Sequence, residues 1–147
     1  MATVYRVDTR NKPRLLFAMM KVFGADGTRI AFEGNLVNTG LFGMDGCSYE
    51  ETGALKRATT APRLDFVTLP LTPERGTEIE RAIDSKISFS GYDGIIHVQI
   101  EIHGEIVFAA YDNFSRDSVM VTGSVPTSVL DELVLARVLR GYTSVMI

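Results

Sequence analysis

Between Ile96 and His103 the chain alternates apolar and polar residues without a break: Ile96, His97, Val98, Gln99, Ile100, Glu101, Ile102, His103. A period of two places four aliphatic side chains on one face of a strand and His97, Gln99, Glu101 and His103 on the other. His103-Gly104 reads as a turn, and Glu105 to Asp112 returns as a second strand. Ser118 to Thr122 follows as a third. A ribbon of this kind needs a second layer over its aliphatic face.

Two further segments supply helices. In Thr72-Pro73-Glu74, Thr72 caps, Pro73 sits in the first turn where its missing N–H costs nothing, and Glu74 complements the helix dipole. That helix is expected to run to about Ser85, burying Ile79, Ala82 and Ile83. Val125-Pro126-Thr127-Ser128 opens another, through about Leu139, with Gly141 placed to end it. Upstream, Tyr5 to Asp8 and Leu64 to Leu71 read as strands. Leu15 to Phe23 and Thr28 to Glu33 flank Ala25-Asp26-Gly27 and are expected to form a β-hairpin. Residues 34–63 show little periodicity. Ser48 and Glu51 have capping-box spacing for a short helix, and the alternative is a long surface excursion. The expectation is one α+β domain over residues 1–147. Its sheet is mainly antiparallel, built from hairpins and packed with two or three helices.

Composition removes several classes of function. With 46% hydrophobic and 22% charged residues, the chain is neither disordered nor coiled coil. Its single cysteine, Cys47, cannot form an internal disulfide. The densest apolar run, Leu15 to Met20, is too short for a membrane span or a signal peptide. The expected setting is the cytoplasm, with no membrane partner.

The net charge of −3 is unevenly placed. Residues 1–73 carry nine Lys/Arg against seven Asp/Glu, and residues 74–147 carry six against eleven. Arg6, Arg10, Lys12 and Arg14 cluster, but an acidic chain lacks the basic stripe of a nucleic-acid binder, so nucleic acid is disfavoured.

Motifs that carry chemistry are absent. A phosphate loop needs Gly-Lys-Ser/Thr, and no Gly-Lys pair occurs. The glycines at 40, 43 and 46 do not have dinucleotide-binding spacing. Zinc would draw on His97, His103 and Cys47, yet six strand residues separate the histidines by about 20 Å. No metal and no cofactor is expected. There is no Gly-x-Ser-x-Gly elbow.

Three functional expectations follow. The first is a small non-catalytic protein-binding module of inhibitor, immunity or adaptor type. It would meet a basic partner through the polar sheet face and adjoining loops: His97, Gln99, Glu101, Tyr111, Asp112 and Phe114. The alternative is a small hydrolase or isomerase with its site near His97, Glu101 and Asp112. Self-association through an exposed strand edge, giving a homo-oligomer, is a third option.

Overall fold

In a computed structural model describing residues 3–37, 39–83, 89–90 and 93–146, the chain forms an antiparallel sheet with three α-helices. The strands are β1 (Thr3–Thr9), β2 (Thr28–Gly34), β3 (Asp65–Pro70), β4 (Phe89–Ser90), β5 (Asp93–Ile102), β6 (Glu105–Ala110), β7 (Val119–Thr122) and β8 (Leu139–Met146). The helices are α1 (Lys12–Phe23), α2 (Pro73–Ile83) and α3 (Thr127–Leu135). Seven strands run in the order β3-β2-β5-β6-β7-β1-β8, and the short β4 pairs with the start of β5. The α+β class and the antiparallel sheet expected from the sequence are both present. No helix among the described residues is long and apolar enough to cross a membrane.

One sheet face carries the main core. Val7, Ile30, Phe32, Val67, Leu69, Val98, Ile100, Phe108 and Val121 pack with Leu15, Leu16, Met19 and Met20 of α1, Ile79 of α2 and Leu130 of α3. Burial of these aliphatic and aromatic side chains contributes roughly 1.5–3 kcal/mol each.

Three local expectations are corrected. Leu15 to Phe23 is a helix and not a hairpin strand: Leu15, Leu16, Met19, Met20 and Phe23 have i, i+1, i+4, i+5, i+8 spacing and are all buried. Asn11 caps it, its side-chain oxygen accepting the Arg14 N–H at 3.2 Å, with Pro13 in the first turn. Ser48 starts no helix. Its backbone instead bridges to Thr68 at the edge of β3. The last helix stops at Leu135, where Arg137 takes a left-handed conformation (φ 62°), and the chain continues as β8, with Gly141 inside the strand. The expected end of α2 at Ser85 lies outside the described residues.

Candidate functional site

The alternation that opened the sequence reading places His97, Gln99 and Glu101 on the sheet face opposite the main core. Water does not reach them. They are 3%, 4% and 6% exposed, because residues 48–64 cross this face. The crossing segment is held by a row of polar bonds. Thr52 donates to the Glu101 carboxylate at 3.3 Å. The Gln99 side chain pairs with the Lys56 backbone in both directions, donating to its carbonyl at 2.6 Å and accepting its N–H at 3.4 Å. On β2, Glu33 is 1% exposed and accepts the N–H groups of Ala58 and Thr59 at 2.7 and 3.2 Å. Leu55 fills the gap between, against Ala31, Phe66 and Ile106. Arg57 lies over the Phe66 ring at 5.0 Å and donates to the Leu64 carbonyl at 2.7 Å.

His97 is fixed at both nitrogens. Nδ1 accepts the Asp112 N–H at 3.1 Å, so the ring proton sits on Nε2 and is donated to the Thr59 hydroxyl at 2.7 Å. An imidazole in this tautomer cannot take the Thr59 proton, and its Nδ1 meets a backbone amide where a catalytic triad would place a carboxylate. Glu101 lies four residues further along β5, about 13 Å away at ~3.3 Å per residue. The Asp112 carboxylate belongs to an exposed residue. His97, Glu101 and Asp112 therefore do not converge on one reacting atom.

Tyr111 packs edge-on to His97 with ring centroids 5.7 Å apart. Partial burial and the nearby Glu33 carboxylate push its hydroxyl above the ordinary phenol value of 10.0. Asp112, Asn113 and Phe114 form a left-handed turn, with φ of 53°, 59° and 59°. Asn113 anchors it, donating its N–H to the Ile96 carbonyl at 2.8 Å and its side-chain amide to the Ile95 carbonyl at 3.2 Å. Phe114 is buried against Phe108. Cys47 is half-buried, its thiol 3.4 Å from the Phe42 carbonyl.

The rest of that sheet face is different. Over β7, β1 and β8 no segment of the described residues crosses, and Met120 is 38% exposed beside the exposed Arg6. Here Arg6, Asp8, Arg116, Arg140 and Thr143 line a cleft of about 340 Å³. An adjoining hollow of about 350 Å³ shares Asp8, Arg116 and Arg140 and reaches Thr9. Asp8 lies between two arginines, 3.4 Å from Arg140 and 3.9 Å from Arg116. Arg140 also donates to the Thr9 carbonyl at 2.7 Å. The Thr9 hydroxyl is the one buried side-chain polar atom among the described residues without a hydrogen-bond partner.

The arginine cleft escaped the sequence reading because Arg6, Arg116 and Arg140 are brought together only by the pairing of β1 with β7 and β8. Glu33 escaped it too, although its place in a partly alternating strand was a usable signal. The larger hollow of about 530 Å³ between α1 and α2 is walled by Phe17, Ala18, Met20 and Pro73 and assembles no catalytic group beyond Lys21 and Glu80. Among the described residues no group of three His, Cys, Asp or Glu is placed to hold a metal ion.

No protein-family model, no curated protein and no solved structure matches this chain. Function is therefore argued from the site alone.

Proposed function

We propose that this chain is a non-catalytic protein-binding module that docks on an acidic partner through the uncovered half of its sheet. The observation that carries the reading is the cleft of Arg6, Arg116 and Arg140 beside exposed Met120. It lies on the part of the second sheet face that no segment of the described residues covers. An apolar spot flanked by arginines has the make-up of a docking surface, since Arg is enriched at protein interfaces and anchors carboxylates in bidentate geometry. The polar row that favoured a basic partner is already bonded to residues 48–64, which leaves the positive half to set the partner's sign. The setting this reading assumes is a reducing cytoplasm, where a lone thiol stays unpaired.

The test is affinity capture from the native cell with the immobilised chain at about 0.05 M salt, where charge attraction is little screened. One specific protein should be retained and released near ~0.5 M salt. A chain carrying Arg6→Glu and Arg116→Glu should retain none of it while keeping its circular dichroism. Equal capture by both forms, or by neither, rules the reading out.

A further inference from the structure

We propose that the outer edge of β8 is a strand-addition site, where an extended segment of the acidic partner pairs with Leu139–Met146 and lays a carboxylate into the arginine cleft. This rests on the docking reading above and specifies how the partner is held.

The two edges of the sheet are unlike. At β3 the edge is closed: Ser48 donates its N–H to the Thr68 carbonyl at 2.9 Å, Thr68 returns one to Ser48 at 2.8 Å, and the strand ends in Pro70. At β8 it is open. The strand pairs with β1 from Leu139 to Met146, and among the described residues nothing pairs with its other side. Alternate residues of an antiparallel edge strand direct N–H and C=O away from their neighbour, so β8 presents a row of free backbone donors and acceptors roughly 26 Å long.

Exposed edges are usually guarded by lysine, proline or a bulge. β8 contains neither lysine nor proline, and its register shift with β1 falls at its first residues, opposite Asp8 and Thr9. Its one charged residue is Arg140, drawn over β1 by the Thr9 carbonyl and Asp8 and so not aimed along the edge. Beyond that register shift the six residues 141–146 carry no such guard, which fits the use of an edge as a template for another chain.

Charge selects what is added. The residues lining the cleft include Arg140 to Thr143 of β8, so a side chain from an added strand reaches the arginines from the same edge. Three arginines stand against Asp8 and Asp117 there. The start of α1 adds to this end, since Arg10 and Asn11 donate N–H groups to the Val138 carbonyl and Arg14 reaches the Ala136 carbonyl. Asp8 already shows where a carboxylate sits. Its pairs with Arg116 and Arg140 are long and solvent-exposed, and such pairs contribute little, so an incoming carboxylate can replace it. A second copy of this chain is a poorer occupant, because pairing β8 with β8 brings two arginine clefts together.

The test uses the full isotope-labelled chain and an eight-residue peptide alternating Thr and Glu. Two controls accompany it: a Thr/Lys peptide, and a Thr/Glu peptide N-methylated at alternate amides. The Thr/Glu peptide should bind saturably and slow amide exchange about tenfold or more at alternate positions between residues 140 and 145. Neither control should do so. Arg6→Gln with Arg116→Gln should weaken binding at least about tenfold without changing the circular dichroism. No binding at millimolar peptide, equal binding of the N-methylated or Thr/Lys peptide, or protection at β3 overturns the inference. So does concentration-dependent protection of β8 in the chain alone, which would mean self-pairing. Cellular capture that still depends on Arg6 and Arg116 when the peptide fails would leave the docking reading standing and remove strand addition alone.

Discussion

The two halves of the sheet share one helical layer and differ in everything on the opposite side. Over β3, β2 and β5, residues 48–64 close both the face and the edge, and each buried polar group there has a partner: Glu33 two amides, His97 an amide and a hydroxyl, Gln99 a full backbone unit, Glu101 a hydroxyl. Over β7, β1 and β8 the face is bare among the described residues, Arg116 and Arg140 make only solvent-exposed pairs with Asp8, and no described residue pairs with the edge. A polar row along a strand is thus no evidence of a wet surface. The same alternation serves a face in water and a face buried under the chain's own backbone, because irregular backbone needs hydrogen-bond partners as much as water does.

That contrast predicts unequal sensitivity to substitution. The largest loss is expected at Glu33. Glu33→Ala removes two charge-assisted bonds and leaves the Ala58 and Thr59 amides without acceptors, a cost of about 3–5 kcal/mol. Urea unfolding measures it, and limited proteolysis should cut first within residues 48–64. A loss below ~1 kcal/mol would mean that the covering segment is held by something other than Glu33. Leu55→Ala comes next, at about 2–4 kcal/mol, since this fully buried side chain is the segment's apolar anchor against Ala31 and Phe66. If Leu55→Ala proves neutral, the polar row alone closes this half.

How much of this the sequence disclosed follows the range of the forces involved. The strands from β5 to β7 and the entry to α2 were legible because period-two patterning and capping act between near neighbours. The helix α1 has a local signal of its own: Asn11 and Pro13 form a helix start, and the Leu, Ala and Met residues that follow are strong helix formers. The end of α3 was harder, because Arg137 turns the chain with no glycine to announce it, and Gly141 offered a false stop. Residues 48–64 have no period of their own, since their partners lie on β2, β3 and β5. Of the expected binding residues, His97, Gln99, Glu101 and Phe114 are buried, while Tyr111 is half-buried and Asp112 exposed. The alternation told correctly which side chains share a face. It carried no information about what lies over that face.

A smaller effect tests the covered half by pH. The Tyr111 phenol is held above 10.0 by burial and by Glu33, so its neutral form is favoured in the folded state. In the unfolded chain it ionises first. Its contribution is therefore fully present below about pH 10 and is lost as pH rises from there through the folded value. Tyr111→Phe should flatten the fall in stability that begins near pH 10 and continues above it, and ultraviolet titration should lose one of its late-ionising phenols. An unchanged alkaline limb would place Tyr111 outside the covered half's energetics.

The smallest effects belong to the open half, and they sharpen the comparison most. Met120 is 38% exposed and Arg6 has no ion pair among the described residues, so Met120→Thr and Arg6→Gln should each change stability by no more than about 0.5 kcal/mol. Thr9→Val removes a buried hydroxyl that nothing satisfies and should raise stability, by up to ~1 kcal/mol. Surfaces kept for a partner have this signature, with substitutions that matter to binding and hardly at all to folding. Denaturation midpoints at one pH are enough to check all three. If Met120→Thr or Arg6→Gln instead destabilises by more than about 1 kcal/mol, the bare half is holding the fold together, and its exposure is no sign of a docking surface.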